Sequence, residues 1–251
     1  MVDAASLLAG SQAPIAVADG DGVRFVILNR PAARNAMTRA MRADFSAILA
    51  AADADPAIAA LVLTGAAGIF SSGVDLKDRV PGAPPVEPNP GVALRRLAKP
   101  IIAAIDGPCV TGALEMALSC TFAIATPAAR FADTHCKVGL FPRWGGGALL
   151  TGAIGVRRAR QMMLTGDFVD ADTALSWGLV NEIVPAGRLL DRAAELARAM
   201  ADRAREQPLS FRLHEQMLCA TDDANPASAI EGRLLARFDT EKRDAEKTSF
   251  E

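Results

Sequence analysis

Apolar residues along the chain fall in short runs of strand length that alternate with stretches of helical period. Val23–Leu28 has strand composition and passes into residues 29–34, where Pro31 disfavours helix at Arg30. Thr38 then has the character of an N-cap, and Met41, Phe45, Ile48 and Leu49 recur at helical spacing up to Ala52. Residues 58–64 form a second apolar run, closed by Gly65. Residues 100–105 form a third, closed by the turn Asp106, Gly107, Pro108 and followed by a helical stretch over 112–119. Two further short strands are expected at 122–125 and 129–132, separated by Thr126 and Pro127.

Residues 80–91 hold five prolines and two glycines in twelve positions, which predicts an extended loop. Such a segment is either a solvated linker or a lid over a pocket. Beyond Val156 the pattern turns helical, over 157–164, 170–177, 187–203, 209–219 and 227–247. The last two carry apolar faces (Leu209, Leu213, Met217; Ile230, Leu234, Leu235, Phe238) that need a second layer or a neighbouring subunit. No strict sequence repeat is visible, so any repetition is one of topology.

Composition narrows the function classes. The chain has 251 residues, 51% hydrophobic and 22% charged, enough for one core or a core with an appendage. A formal net charge of −2 without a basic stripe argues against a nucleic-acid partner. Residues 1–12 lack a basic leader, and no stretch approaches the roughly 18 apolar residues of a membrane span, so a cytoplasmic protein without a membrane partner is expected. Cys109, Cys120, Cys136 and Cys219 show neither C-x-x-C pairs nor matching His spacing, so no metal site is expected. Tyr is absent and only His135 and His214 are imidazoles, which leaves Asp, Glu, Lys and these two for proton transfer.

Two segments have the form of reactive turns. Residues 65–77 follow a strand with small residues, so their N–H groups either build an anion-binding nest or simply make the turn; the lack of G-K-[ST] argues against a nucleotide loop. Residues 101–115 run from a strand through a tight turn into a helix starting near Gly112, whose N-terminal N–H groups suit a developing oxyanion. Glu115, three residues on, shares the face of Gly112 and tilts back toward it. Such a Glu either complements the helix dipole or is a desolvated working carboxylate; the apolar flank of Leu114, Met116, Ala117 and Leu118 favours the second.

Taken together, Ile27-Leu-Asn-Arg-Pro31 with Arg34-Asn-Ala36, Phe70 to Lys77, Lys99 to Gly107 with Gly112-x-x-Glu115, Phe131-Ala-Asp133, and Gly166-Asp167 through Ala171 to Trp177 and Val180 resemble the enoyl-CoA hydratase/isomerase (crotonase) family in order and spacing. The likeness covers roughly residues 15 to 205. It implies an α/β fold: a spiral of strand, strand, helix units over residues 1–195, and a C-terminal helical trimerisation region over 196–251, giving trimers or pairs of trimers. It implies an acyl-CoA thioester as substrate, with no further cofactor. The oxyanion hole falls on the N–H groups of Val74 and Gly112, Glu115 matches the first of two hydratase glutamates, and Arg34, Ala36, Ser72, Val74, Asp75, Leu76 and Gly112 match positions around the CoA moiety.

The second hydratase glutamate aligns with His135. An imidazole there relays a proton to or from the substrate, or is a loop residue satisfied by a backbone partner. His214 reads as structural, and Cys136 should point away from His135 as its neighbour on an extended segment. Arg143 and Trp144 replace small residues after Pro142, which narrows or repurposes the pocket, and the charged tail from Phe238 departs from the family's apolar ending. Hydration of a 2-enoyl-CoA is the leading expectation. The alternatives are isomerisation, thioester hydrolysis or decarboxylation at the same site, or a non-catalytic acyl-CoA binder. Isomerases of the family tend to keep a carboxylate at the position of His135 and drop the one at Glu115, so isomerisation ranks lower.

Overall fold

The computed structural model describes residues 11–78, 80, 82–211, 213–214, 236–237 and 239–240. It is built on a six-stranded sheet with order β1 (Ile15–Gly20), β2 (Val23–Leu28), β3 (Ala60–Gly65), β4 (Ile101–Ile105), β6 (Phe122–Ala125), β9 (Glu182–Ile183). All neighbours are parallel except the β1–β2 hairpin, whose turn places Asp21 and Gly22 at positive φ. Both central turn residues must be left-handed to match the strand twist, and Asp-Gly provides that at low cost. A smaller sheet holds β5 (Pro108–Val110), β7 (Arg130–Ala132) and β8 (Val169–Asp170).

The unit expected from the sequence recurs in these connections. β4 lies in the large sheet, β5 in the small one, and α3 (Gly112–Leu118) follows; β6, β7 and α4 (Gly146–Ile154) repeat the order. Earlier units keep the topology with single bridges in place of the second strand: Met37 before α1 (Arg39–Ala54), and Ser71 and Val74 before α2 (Pro90–Arg95). The bridges Met37 to Val74 and Ser71 to Cys109 carry the second layer across the molecule to β5.

Parallel strands buried on both faces account for the near-continuous apolar runs. Val26, Leu28, Leu61, Leu63, Ala103 and Ile105 face one core with Phe45, Phe70 and Phe131, whereas Phe25, Ile27, Val62, Ile102 and Ala104 face the other. That second core is covered by α7 (Leu189–Glu206) through Ala193, Ala194, Ala197 and Ala201, small residues that let the helix lie close on the sheet. This helix runs without a break through residues 195 and 196. Helices α5 (Val156–Thr165) and α6 (Ala171–Trp177) complete the chain between β7 and β9.

Thr38 caps α1 as expected, its hydroxyl accepting from the Met41 N–H at 3.2 Å. The Pro-rich stretch ends sooner than predicted, because Asn89 caps α2 and Pro90 occupies its first position, where a missing N–H costs nothing. Strand β1, strand β5 and helix α4 were not anticipated. Most of the helix expected over 209–219, and nearly all of that over 227–247, lie outside the described residues. No helix among the described residues is long and apolar enough to cross a membrane.

Candidate active site

Two turns meet at the start of α3. The first, residues 71–75, is fixed by a buried asparagine. Asn35 accepts from the Arg30 N–H at 2.8 Å and donates to the carbonyls of Ala66 and Ile69 at 3.0 and 2.6 Å. The Asn35 carbonyl in turn accepts from the Ser71 hydroxyl at 2.8 Å. The N–H groups of Ser71, Ser72, Gly73 and Asp75 donate to the Pro108 carbonyl, the Arg34 carbonyl, the Ser71 hydroxyl and the Met37 carbonyl, each at 3.0 Å. The Val74 N–H is left without an acceptor among the described residues, as a parallel bridge requires of the residue whose two neighbours make the bonds.

The second turn follows β5. Val110 and Thr111 donate to the carbonyls of Ser71 and Ala132 at 3.1 and 2.9 Å, and Gly112 opens α3, so its N–H has no carbonyl four residues back in the helix. Thr111 sits at φ 50, ψ −113, an uncommon conformation for a β-branched residue, and it turns the chain from β5 into α3. The turns touch at Gly73. Its φ is +86, and a Cβ there would stand 2.7 Å from the Thr111 hydroxyl and 3.0 Å from the Gly112 nitrogen. Glycine is needed at 73 for both reasons.

Glu115 lies one turn into α3 and is 2% exposed. Its Oε1 accepts the N–H groups of Trp144 at 2.7 Å and Gly146 at 3.0 Å, at the entry to α4, where the positive helix end favours an anion. Oε2 is the oxygen toward His135, 3.6 Å from Nε2. That is too long for a direct hydrogen bond but short enough for one water to reach both groups. Burial pushes the Glu115 carboxyl up to about 7, against the opposing pull of His135 and of the Trp144 and Gly146 N–H groups.

His135 is held by Asp133, a residue the sequence reading placed only within a motif. Asp133 Oδ1 lies 2.8 Å from His135 Nδ1 and also accepts the His135 backbone N–H at 3.0 Å. Asp133 and His135 are 2% and 8% exposed, so the imidazole is buried and braced by a side chain. Cys136 is exposed and does diverge from His135, but for a different reason than expected: the two residues begin a 3-10 turn, not an extended segment. His214 is exposed, with Nδ1 2.8 Å from the Ser210 carbonyl, far from this chemistry in character.

Trp144 is not a free pocket residue. Its N–H serves Glu115, its carbonyl accepts from Arg95 at 2.7 Å, and its ring lies where a Cβ on Gly112 would meet it at 2.8 Å. Arg143 points outward in an ion pair with Asp239. Of the residues matched to CoA contacts, Ala36 and Ser72 lie on the paired segments beside Val74, Arg34 and Leu76 are exposed, and the Asp75 carboxylate is engaged by Arg30 at 3.0 Å. No group of His, Cys, Asp and Glu side chains able to hold a metal ion occurs among the described residues.

The spiral α/β core agrees with comparison to known proteins. The enoyl-CoA hydratase/isomerase family model matches residues 19–248. The chain is 37% identical over 189 residues to a probable peroxisomal enoyl-CoA hydratase 1 of Arabidopsis thaliana, covering 72% of this chain and 70% of that protein. It is 37% identical over 213 residues to an (E)-benzylidenesuccinyl-CoA hydratase of Thauera aromatica, with 81% of each covered. The crystal structure of an enoyl-CoA hydratase from Mycobacterium avium superposes with a TM-score of 0.83 at 38% identity, covering 92% of this chain and all of that one. The chain belongs to the enoyl-CoA hydratase/isomerase family.

Proposed function

We propose that the protein is an enoyl-CoA hydratase that adds water reversibly across the double bond of a 2-enoyl-CoA thioester. The observation that carries this reading is the state of Glu115: a buried carboxylate with one oxygen fixed by two main-chain amides and the other directed at His135, one helical turn from the Gly112 N–H, which has no acceptor among the described residues. The Val74 and Gly112 N–H groups receive the thioester oxygen as charge develops on it; donors already oriented need no reorganisation at that moment. Arg34, Ala36, Ser72, Asp75 and Leu76, on the first turn and the segments beside it, are the proposed surroundings of the CoA moiety, and coenzyme A enters only as part of the substrate.

In the hydration direction Glu115 takes a proton from water as the oxygen bonds to the β-carbon. The double-bond electrons move toward the carbonyl, and the α-carbon then takes a proton from His135. A carboxyl near neutrality suits this exchange, because proton transfer is most effective when donor and acceptor strengths lie close to the working pH.

Loss of ultraviolet absorbance from crotonyl-CoA tests the reading: wild type bleaches the conjugated thioester and Glu115→Gln does not. Unaltered hydration by that variant would overturn the role of Glu115. A mass-spectrometric screen of acyl- and enoyl-CoA thioesters separates hydration from isomerisation, hydrolysis, decarboxylation or binding without turnover. We further infer a homotrimer or a pair of trimers, supported by exposed apolar side chains at Val156, Leu164, Phe168 and Leu175, with light scattering as its check. The unpaired thiols of Cys109, Cys120 and Cys136 support a cytoplasmic setting.

A further inference from the structure

We infer that Asp133 is a positioning residue for proton transfer: it holds His135 with Nδ1 protonated, so that Nε2 alone cycles a proton with substrate and with Glu115. The inference rests on the hydratase reading and goes beyond it, since Asp133 acts through His135, to which its carboxylate is hydrogen-bonded.

The geometry leaves His135 little choice. One oxygen of Asp133 receives both the backbone N–H and Nδ1 of His135, at 3.0 and 2.8 Å. An ionised carboxylate accepts but does not donate, so the nitrogen facing it carries the proton. A ring held at Nδ1 and at its own backbone amide has its rotation fixed, and its remaining nitrogen faces Glu115 Oε2 at 3.6 Å. Among the described residues, Glu115 from α3 and Asp133 from its own loop face the ring; Lys137, on the same 3-10 turn, is directed instead to Asp167 at 3.1 Å.

The proton balance then closes within the site. Turnover starts with Glu115 ionised and His135 as imidazolium. Water gives a proton to Glu115 Oε2 while its oxygen bonds to the β-carbon, and the α-carbon takes the proton from His135 Nε2. The site is left with a neutral carboxylic acid beside a neutral imidazole that still carries its Nδ1 proton. Transfer of the Glu115 proton to Nε2 through one water restores the starting state without exchange with bulk solvent. The negative charge of Asp133 favours the imidazolium at the start, and its hydrogen bond keeps Nδ1 from competing with Nε2 as the cycling nitrogen.

The test uses Asp133→Asn, which keeps an acceptor oxygen for both His135 bonds and removes the charge, compared with His135→Gln. For Asp133→Asn, kcat on crotonyl-CoA at neutral pH should fall about a hundredfold with KM nearly unchanged. The pH profile of kcat/KM should move to lower pH, because an anion 2.8 Å from the ring no longer favours the imidazolium. Nitrogen-15 labelling of histidine reads the ring directly, since the chain has two histidines and His214→Gln assigns the signals. Wild-type His135 should show a protonated Nδ1 throughout its titration. An unchanged rate and pH profile in Asp133→Asn, with activity lost in His135→Gln, overturns the inference and leaves the hydratase reading standing. Full activity in both variants overturns the proton-transfer role of His135 itself. Should Asp133→Asn not fold, an unprotonated Nδ1 in the wild-type spectrum still refutes the inference, and a protonated one supports it.

Discussion

Glu115 and His135 face each other across the site, yet they are held by different means. The carboxylate is fixed by main-chain N–H groups 29 and 31 residues further along the chain, whereas the imidazole is fixed by a side chain two residues before it. A main-chain cradle depends on the path of the backbone, so it is disturbed by bulk. A side-chain brace depends on one carboxylate, so it is disturbed by charge. The difference teaches how a carboxylate and an imidazole can share one site without disturbing the fold that carries both.

The largest expected effect comes from removing the charge that the cradle holds. Glu115→Gln should lower kcat by about 10³ to 10⁴ with substrate binding retained, measured by single-turnover hydration and by titration with an unreactive acyl-CoA. Next comes the cradle itself. A Cβ on Gly146 would lie 2.9 Å from Glu115 Cγ and 3.0 Å from Oε1, so Gly146→Ala should displace the carboxylate and lower kcat by about ten- to a hundredfold. The histidine nitrogen-15 spectrum should change far less in that variant than in Asp133→Asn; equal disturbance would erase the distinction drawn between cradle and brace.

A smaller effect is one of stability. The folded carboxyl of Glu115 titrates near 7 against 4.5 for the free side chain, so the folded state binds its proton more tightly than the unfolded state. This contribution is fully present below about 4.5 and is lost as pH rises through about 7. Thermal melts of wild type and Glu115→Gln should therefore converge at acid pH, with the variant gaining on wild type across that window. A difference independent of pH would show that the burial cost of the carboxylate is not felt. The smallest effect is expected at Arg143, whose ion pair with Asp239 joins two half-exposed side chains. Arg143→Ala should change stability by less than about 1 kcal/mol in chemical denaturation, with hydration nearly unaltered.

Local pattern made much of the fold legible. Apolar runs located β2, β3, β4, β6 and β7, and the Thr38 cap and helical spacing located α1. The Asp21-Gly22 turn was equally visible but was not used, and β1, which alternates buried and exposed positions only weakly, went unrecognised. Helix α4 was missed because it opens on glycines that disfavour helix as isolated residues. Here glycine is required by the neighbouring Glu115, a constraint no local rule contains. Glu115, His135 and the two turns were readable because they fall in compact motifs. The amides of Trp144 and Gly146 were not, since their role arises from a contact across some thirty residues. Asp133 carried a signal of its own, an acidic residue two before a histidine, but only the 3-10 turn at His135 brings the ring back onto it.

At residue 74 the atom proposed for chemistry belongs to the peptide unit, while the valine side chain packs partly buried against the main core. The two duties are separable. Exchanging Val74 for another apolar side chain alters the fit of the neighbouring wall and leaves the donor in place, whereas proline alone deletes the donor. Core packing can therefore be retuned at this position while the proposed donor stays constant.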